Sequence, residues 1–211
     1  MKSDQISGFK WSSSQKTHAH QFLFPKLKYI LDRHCTKLAN KRCFDLGCGN
    51  GATATFLSDL GWEIVGVDPS IEGIQVANQL PGKMRLELGS AYDDLHDKYG
   101  LFPLIVSLEV IEYVYHPRTY IRTIDNLCDK NGFIIISTPY HGYIKNLVLS
   151  IMGKMDDHFT ALWDNGHIKF WSIKSITKLI SEVGWEIQGI YTVGRIPCLA
   201  RSMLVIARKV K

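Results

Sequence analysis

The feature that most constrains the fold of this chain is a turn that holds three glycines in five positions. The stretch CFDLGCGNGATATFL, residues 43–57, places Gly47, Gly49 and Gly51 between an apolar run and a helix-like run. Glycine adopts backbone angles that other residues avoid and lets a ligand approach the main chain closely. The helix that follows begins with unpaired N–H groups and the positive end of its dipole. The stretch predicts a strand, a ligand-holding loop and a helix, with a purely structural turn as the simpler alternative.

The rest of the chain alternates between strand-like and helix-like segments. The strands are apolar nearly throughout, which is typical of a parallel sheet covered by helices on both faces. Strand patterns lie at residues 42–46, 63–68, 84–89, 104–110 and 132–138, and helical patterns at 15–39, 70–80, 117–128 and 173–183. Pro25 predicts a boundary or bend in the first helical segment. The last two strand-like runs, 185–193 and 202–208, are separated by a short turn and should pair antiparallel.

Length and composition favour one globular domain over residues 1–211. Of the 211 residues, 45% are hydrophobic, which is enough for a single core. Residues 1–14 are polar and serine-rich and are expected to be loose. The five cysteines form no C-x-x-C pair, which argues against a disulfide scaffold or a zinc site and favours a cytoplasmic location. Neither a signal-peptide core nor an apolar run of about 20 residues is present.

Two carboxylates near the glycines indicate which nucleotide-type ligand the loop suits. Asp68 ends the second strand, where an acidic residue accepts hydrogen bonds from the ribose hydroxyls of an adenosine ligand. Asp45 stands two positions before Gly47, where a carboxylate repels a pyrophosphate. The glycine spacing also differs from the G-x-G-x-x-G of dinucleotide enzymes, so an NAD-dependent oxidoreductase is disfavoured. A ligand with a cationic amino group and no phosphate fits better, as in S-adenosylmethionine.

The motifs together resemble a known family. FDLGCGNG with VGVDPS is similar to the first motif and the following acidic position of class I S-adenosylmethionine-dependent methyltransferases. The similarity continues through residues 104–114, 131–139 and 167–187, covers about residues 16–208, and is nearest to the ubiquinone-biosynthesis O-methyltransferase group. The resemblance implies a Rossmann-like α/β fold with a seven-stranded sheet, mostly parallel with an antiparallel last strand, and helices on both faces.

The resemblance also implies a cofactor site for S-adenosylmethionine, with S-adenosylhomocysteine as product. Asp45 would contact the methionine amino end of the cofactor, and Asp68 would contact its ribose. Other residues would let the backbone pass under the cofactor or would lie beside its adenine or methionine portion. These others are Gly47, Cys48, Gly49, Pro69, Ser70, Ser90, Ala91, Ser107, Leu108 and Glu109. Ser90 stands where the family often has an acidic residue, and Asp93 is expected to cap the next helix. Trp11, His18 and His20 form either a lid over the cofactor or a helix face packed on the sheet.

A metal is not expected. The related quinone O-methyltransferases carry an E-x-x-E-H pattern after the fourth strand, whose carboxylates and histidine can take a divalent metal. This chain has Glu109, Glu112 and Tyr113 at the matching positions, so tyrosine replaces the histidine.

The acceptor is expected to be a small molecule methylated on oxygen. By resemblance, residues 139–171 form an acceptor-side insert or lid. A hydroxyl acceptor benefits from a general base with a pKa near neutral, and His141 and His167 lie near the two ends of this insert. A structural role is the simpler alternative for either histidine, and a catalytically idle cofactor-binding partner is the alternative function.

Charge and hydropathy bear on contacts with a membrane or with nucleic acid. Within the insert, residues 143–155 are apolar with a lysine near each end, which predicts a lid packed on the domain or a peripheral membrane segment. The net charge of +5 comes from 25 basic and 20 acidic residues spread along the chain. This surplus is too small for a nucleic-acid surface.

Overall fold

The computed structural model describes Trp11, residues 17–82 and residues 84–210, and the expectation of a loose segment at 1–14 lies outside these residues except at Trp11. The strands form one seven-stranded sheet in the order β3-β2-β1-β4-β5-β7-β6. They are β1 (Arg42–Leu46), β2 (Glu63–Asp68), β3 (Met84–Leu88), β4 (Phe102–Leu108), β5 (Cys128–Pro139), β6 (Glu186–Val193) and β7 (Ser202–Arg208). The first five are parallel, and β7 is antiparallel to both β5 and β6. The predicted fold class, including the closing hairpin, is confirmed.

The helices cover the sheet on both faces. In chain order they are α1 (His20–His34), α2 (Ala52–Asp59), α3 (Ile71–Ala77), α4 (Leu95–Tyr99), α5 (Pro117–Leu127), α6 (Tyr143–Ile151), α7 (Met155–Phe159) and α8 (Ile173–Ser181). Helices α1, α2 and α3 share one apolar core with the sheet, and α4, α5 and α8 share the other. Strand β4 alternates between them: Leu104 and Val106 join the first core and Ile105 the second. A strand buried on both faces explains the continuous apolar pattern.

The structure adds local detail at three places. Helix α1 runs through Pro25 without a boundary, although proline removes one main-chain hydrogen bond inside the helix. Residues 139–171, which show no regular alternation, contain the helices α6 and α7. The short helix α4 also has no clear pattern in the sequence.

The sheet order places a crevice at one end of the molecule. Strand β1 lies between β2 on one side and β4 on the other, so the connections that leave β1 and β4 at their carboxyl ends turn in opposite directions. In open α/β sheets this switch point is where ligands bind. The glycine loop follows β1, Asp68 ends β2, and Glu109 follows β4, so all three lie at this edge.

Candidate functional site

The glycine loop has a backbone that requires glycine. Gly47, Gly49 and Gly51 have φ values of +86°, +50° and +79°, in the left-handed region that side chains with a Cβ disfavour. The main-chain N–H groups of Gly47 and Cys48 donate to the carbonyl of Val67, at 2.8 and 3.1 Å. The loop is therefore tied to the end of β2, and it leads directly into α2.

A cavity of about 340 Å³ opens beside this loop. Ten of the residues predicted from the sequence line it, and they come from the loops after β1, β2, β3 and β4 and from the segment before α8. They are Gly47, Cys48, Gly49, Asp68, Pro69, Ser90, Ala91, Leu108, Glu109 and His167. Residues 120 positions apart in the chain thus line the same cavity.

Four other predicted residues do not line the cavity. Ser70 caps α3, with its hydroxyl accepting from the N–H of Gly73 at 3.0 Å. The buried Ser107 hydroxyl donates to the carbonyl of Leu46 at 2.7 Å and so joins β4 to β1. Asp45 lies buried beneath the loop, and His141 lies in the insert. Ser70 and Ser107 therefore hold the strands and loops that carry the cavity wall.

Asp45 and Asp68 form an acidic pair at the carboxyl ends of β1 and β2. Burial, with a smaller contribution from the Asp68 charge, raises the pKa of Asp45 to about 8. One Asp45 oxygen, Oδ2, makes no hydrogen bond with any described residue. Burial also raises the pKa of Asp68, but hydrogen bonds from the N–H groups of Ser70 and Gly49 oppose this. A cationic group near the loop would relieve the repulsion between the two carboxylates.

The charges at the cavity wall suit a cofactor without phosphates. Among the described residues that line the cavity are the acidic side chains of Asp68, Glu109 and Glu112 but no lysine or arginine. A phosphate-bearing dinucleotide would find no lysine or arginine side chain to pair with among these residues. Together with the unpaired oxygen of Asp45, this set of groups fits an adenosine ligand with a cationic methionine end.

The wall after β3 is formed differently from the prediction. The Ser90 N–H donates to Asp93 Oδ2 at 2.7 Å, and the Ser90 hydroxyl accepts from the N–H of Tyr92 at 3.2 Å. Helix α4 begins after Asp94, whose side chain makes no capping hydrogen bond. The prediction that Asp93 caps this helix is therefore wrong, and Asp93 instead shapes the loop that presents Ser90 and Ala91 to the cavity.

Aromatic side chains surround His167 at the cavity wall. The His167 ring lies 5.0 Å from the Tyr113 ring and 5.4 Å from the Trp163 ring, measured between centroids. Its Nε2 is 4.0 Å from Glu112 Oε1. Burial, and to a lesser degree the charge of His158, lowers the pKa of His167. The imidazole is therefore neutral at pH 7, with a ring nitrogen able to accept a proton.

His141 lies in a packed aromatic cluster away from the cavity lining. Its ring is 4.9 Å from Phe170, 5.1 Å from His158 and 5.7 Å from Phe159. Burial, followed by nearby positive charges, lowers its pKa to about 4. The structure thus separates the two histidines that the sequence treats alike.

Helix α6 is packed with its polarity inverted. Its one buried residue is Lys145, whose ammonium donates to the carbonyl of Tyr140 at 2.8 Å. Burial, and next the charge of Arg195, lowers the pKa of Lys145 to about 8, while Glu109 opposes this. The large apolar side chains point outward, with Tyr143 82% and Ile151 77% exposed. This differs from the packed lid that the hydropathy predicts.

Glu109 is a cavity residue whose carboxylate is already occupied. Its backbone has φ +55°, and its side chain accepts hydrogen bonds from the hydroxyls of Ser137 (2.7 Å) and Ser202 (3.2 Å). Burial raises its pKa to about 7, against the influence of both serines and of Lys145. An unusual backbone angle at a cavity wall indicates a site where position matters more than local stability.

Several cavity residues have no counterpart among the predicted site residues. Glu112, Tyr113 and Trp163 line the cavity, as do Tyr92 and Tyr115. In the sequence Glu112 stands out only as part of the E-x-x-E-H pattern, although its place four residues after β4 also indicates a cavity residue. Trp163 lies in an irregular segment with no periodicity that points to it.

Two of the three N-terminal residues proposed as lid or helix face line the cavity. Trp11 packs on the loop so closely that a Cβ on Gly49 would lie 2.8 Å from its ring. Trp11 and His20 both line the cavity, and the His20 ring stacks on Phe24. His18 instead contacts Arg201.

The part of the chain that the structure describes contains neither a metal-ligating cluster nor a membrane-spanning helix. Among Trp11, residues 17–82 and residues 84–210, no group of three or more His, Cys, Asp or Glu side chains is arranged to hold a metal ion. None of the helices in this part of the chain is long and apolar enough to cross a bilayer.

Comparison with protein families gives one family match. The model described as "Methyltransferase domain" matches residues 16–189. Two similar proteins are ubiquinone biosynthesis O-methyltransferases, from Bradyrhizobium diazoefficiens and Azorhizobium caulinodans. The first is 27% identical over 72% of this chain and 65% of its own length, and the second is 30% identical over 57% and 49%. The chain thus spans about half to two thirds of these relatives.

A solved structure with the same fold is the magnesium protoporphyrin IX methyltransferase of Synechocystis PCC 6803 with bound SAH. It has a TM-score of 0.69 at 16% identity and covers 92% of this chain and 89% of its own. At this identity the likeness concerns the fold.

Proposed function

The chain belongs to the methyltransferase domain family, and from this premise we propose that it transfers the methyl group of S-adenosylmethionine to an oxygen atom of a small-molecule acceptor. The observation that carries the proposal is the single cavity that joins the glycine loop and Asp68 to His167. A cofactor held at one end and an acceptor at the other would meet inside it. The names of the relatives, which are O-methyltransferases, support oxygen as the acceptor atom.

The residues at the β1–β2 end would hold the cofactor. The glycine loop would lie against its methionine portion, with Leu108 and Glu109 on the β4 side. Asp68 would accept from the ribose hydroxyls, while Pro69, Ser90 and Ala91 would border the adenine. Asp45 lies beneath the loop, where a bound cationic group would favour its charged form, and Ser70 and Ser107 would hold the framework. When bound, the cofactor supplies a methyl group already activated by its sulfonium.

The residues at the other end would prepare the acceptor. Alignment of two reactants and exclusion of water account for most of the rate in such a displacement. Tyr113 and Trp163 form an aromatic wall that can exclude water, and the neutral His167 ring would take the proton from the acceptor hydroxyl. His141 is a weaker candidate for this base because it lies within its own aromatic cluster.

An assay of product release tests this proposal. The protein is incubated with S-adenosylmethionine and a panel of phenols, aliphatic alcohols and amines of matched shape, and S-adenosylhomocysteine is measured by mass spectrometry. We expect product with hydroxyl acceptors. Product with amines alone would contradict oxygen as the acceptor atom. Cofactor binding without product from any acceptor would favour the alternative, a catalytically idle cofactor-binding partner.

A second proposal concerns helix α6, whose outward apolar face we propose contacts a lipid surface. Exposed apolar side chains on a helix that buries its lysine are unfavourable in water unless something covers them. The exposed residues are Tyr143, Ile144, Leu147, Ile151 and Met152, and Lys154 and Arg195 are exposed nearby. Asp156 and Asp157 limit the attraction to anionic lipid, so apolar burial would supply most of the binding.

Vesicle co-sedimentation tests this contact. The triple change Ile144→Ser, Leu147→Ser and Ile151→Ser should abolish binding to phosphatidylcholine and phosphatidylglycerol vesicles. Leu101→Ser is a control for the loss of an exposed apolar side chain. Leu101 is 41% exposed and precedes the amino end of β4, at the edge of the sheet opposite the cavity. Equal sedimentation of the triple variant and the wild type would overturn the proposal.

We also propose a cytoplasmic location. All five cysteines are free thiols, and four of them are buried. This state persists in reducing compartments.

A further inference from the structure

Glu112 is a buried side chain at the cavity that the cofactor site leaves unused. It is 1% exposed, and neither carboxyl oxygen makes a hydrogen bond with a described residue. Buried polar groups are nearly always paired, because an unpaired one keeps the full cost of leaving water. A cavity-lining acid without a partner therefore points to a group supplied from outside the chain.

The contrast with Glu109 supports this reading. Both carboxyls lie at the cavity after β4, and Glu109 is paired with the hydroxyls of Ser137 and Ser202. The Thr138 hydroxyl lies close enough to Glu112 to oppose the rise of its pKa, but it makes no hydrogen bond of ordinary geometry. Glu109 is thus satisfied within the fold, whereas Glu112 is not.

Glu112 is also fixed in place, as a binding group needs to be. Its main-chain carbonyl accepts from the N–H groups of Ile168 and Lys169, at 2.9 and 3.0 Å. These contacts dock the segment that carries His167, whose Nε2 lies 4.0 Å from Glu112 Oε1. The acid and the imidazole are therefore held side by side at one wall of the cavity, next to the Tyr113 ring.

The charge around Glu112 indicates what it can bind. Burial raises its pKa well above the usual range, and the Glu109 charge adds to this, while its own N–H and Thr138 oppose it. A protonated carboxyl both donates and accepts, so it pairs with a hydroxyl and disfavours an anionic group.

We propose that Glu112 binds the methyl acceptor directly, by a hydrogen bond to a hydroxyl on the acceptor, beside the base His167. The proposal rests on the proposed function and adds a chemical class: an uncharged acceptor that presents a hydroxyl, with an apolar or aromatic body against Tyr113 and Trp163. Acceptors with a carboxylate or phosphate at this wall are disfavoured.

Ligand-detected ¹⁹F NMR tests this without turnover. The probes are 4-fluorophenol and 4-fluoroanisole, which differ by one methyl group on the oxygen and so by one hydrogen-bond donor. In protein saturated with S-adenosylhomocysteine, the wild type should bind the phenol at least 10-fold more tightly than the ether. Glu112→Gln, which still donates and accepts, should keep most of this preference. Glu112→Met should reduce it to about 3-fold or less.

Thermal unfolding separates this role from a structural one. Because the carboxyl has no partner in the fold, Glu112→Met should unfold at or above the wild-type temperature, and its affinity for S-adenosylhomocysteine should stay within 2-fold. A preference for the phenol that persists in Glu112→Met, a wild type with no preference, or a large fall in unfolding temperature would overturn the proposal. Failure to bind S-adenosylhomocysteine would instead contradict the proposed function.

Discussion

The Asp68 carboxylate accepts a hydrogen bond from the main-chain N–H of Gly49, with 2.9 Å between the nitrogen and Oδ2. Its other oxygen, Oδ1, accepts from the N–H of Ser70 at 2.8 Å. One carboxylate thus ties the glycine loop to the start of α3 while lining the cavity. Its orientation is set before any ligand arrives, which lowers the entropy lost on binding.

Replacing this carboxylate should weaken cofactor binding more than folding. Asp68→Asn loses one of the two main-chain hydrogen bonds and the negative charge, since the amide NH₂ cannot accept. We expect the dissociation constant for S-adenosylmethionine to rise at least 10-fold by calorimetry, or about 1.4 kcal/mol. Asp59→Asn, an exposed change in α2, is the control and should leave the affinity unchanged. Equal affinities for the two variants would contradict the assignment of Asp68.

Substitution of Gly49 tests the loop and its contact with Trp11. Alanine there would keep φ +50° only with strain, and its Cβ would lie 2.8 Å from the Trp11 ring. We expect Gly49→Ala to lower the free energy of unfolding by about 1–2 kcal/mol and to abolish measurable cofactor binding.

Gly153→Ala is a matched control for that change. Gly153 has a similar φ of +65°, but a Cβ there would meet no atom within 4 Å. Gly153→Ala should lower the free energy of unfolding by about 1 kcal/mol in urea, through backbone strain alone. Its affinity for the cofactor should be unchanged. Adding Trp11→Ala to Gly49→Ala should recover part of the lost stability, and no recovery would show that the ring contact is unimportant.

The buried Asp45 should make stability depend on pH. Its pKa is about 8 in the folded protein and about 3.9 in an unfolded chain. Between these values the folded state holds more protons, so the stability of the ligand-free protein falls as the pH rises from 4 to 8. Asp45→Asn removes this term. The free energy of unfolding of Asp45→Asn relative to the wild type, measured in urea, should grow by about 1 kcal/mol or more between pH 5 and pH 8. Parallel pH profiles for the two proteins would contradict a raised pKa of Asp45.

The two histidines should separate in kinetics. With an acceptor found in the product-release assay, His167→Ala should lower kcat by about 100-fold or more, because it removes the proposed base. The dissociation constant for S-adenosylmethionine should stay within about 2-fold of the wild type, since His167 lies at the acceptor end. Equal losses in turnover and cofactor affinity would point to a structural role.

His141→Ala serves as the comparison for His167→Ala. Its ring packs against Phe170 and Phe159 and lies outside the cavity lining, so the change should lower the unfolding free energy by about 1–3 kcal/mol. The kcat of the protein that remains folded should change little. A kcat loss as large as that of His167→Ala would assign His141 to the reaction.

Local patterns in the sequence were sufficient for most of the fold. The apolar runs of β1, β2 and β4 predict buried parallel strands, because alternate side chains of each strand enter both cores. The Ser70 cap of α3 and the antiparallel pairing of β6 with β7 also follow from residues close together in the chain. The cavity edge formed by the glycines and Asp68 was predictable for the same reason, since Asp45, the glycines and Asp68 lie within 24 positions.

The acceptor side was not predictable in this way. The hydropathy of residues 143–155 predicts a helix that buries its apolar face, yet α6 buries Lys145, because the carbonyl of Tyr140 and the charge of Glu109 are available only in the folded chain. His167 and His141 flank the same segment and look equivalent, but only His167 reaches the cavity wall.

The sequence by itself determined the strand–loop–helix unit, the sheet and the two carboxylates beside the glycine loop, because each depends on spacing over a few residues and on backbone angles that only glycine adopts freely. Only the tertiary structure decided that Glu112 meets His167, 55 positions away, and that Glu109 is paired while Glu112 is not. Such contacts depend on how loops from different strands pack at one edge of the sheet, and no local periodicity encodes that packing.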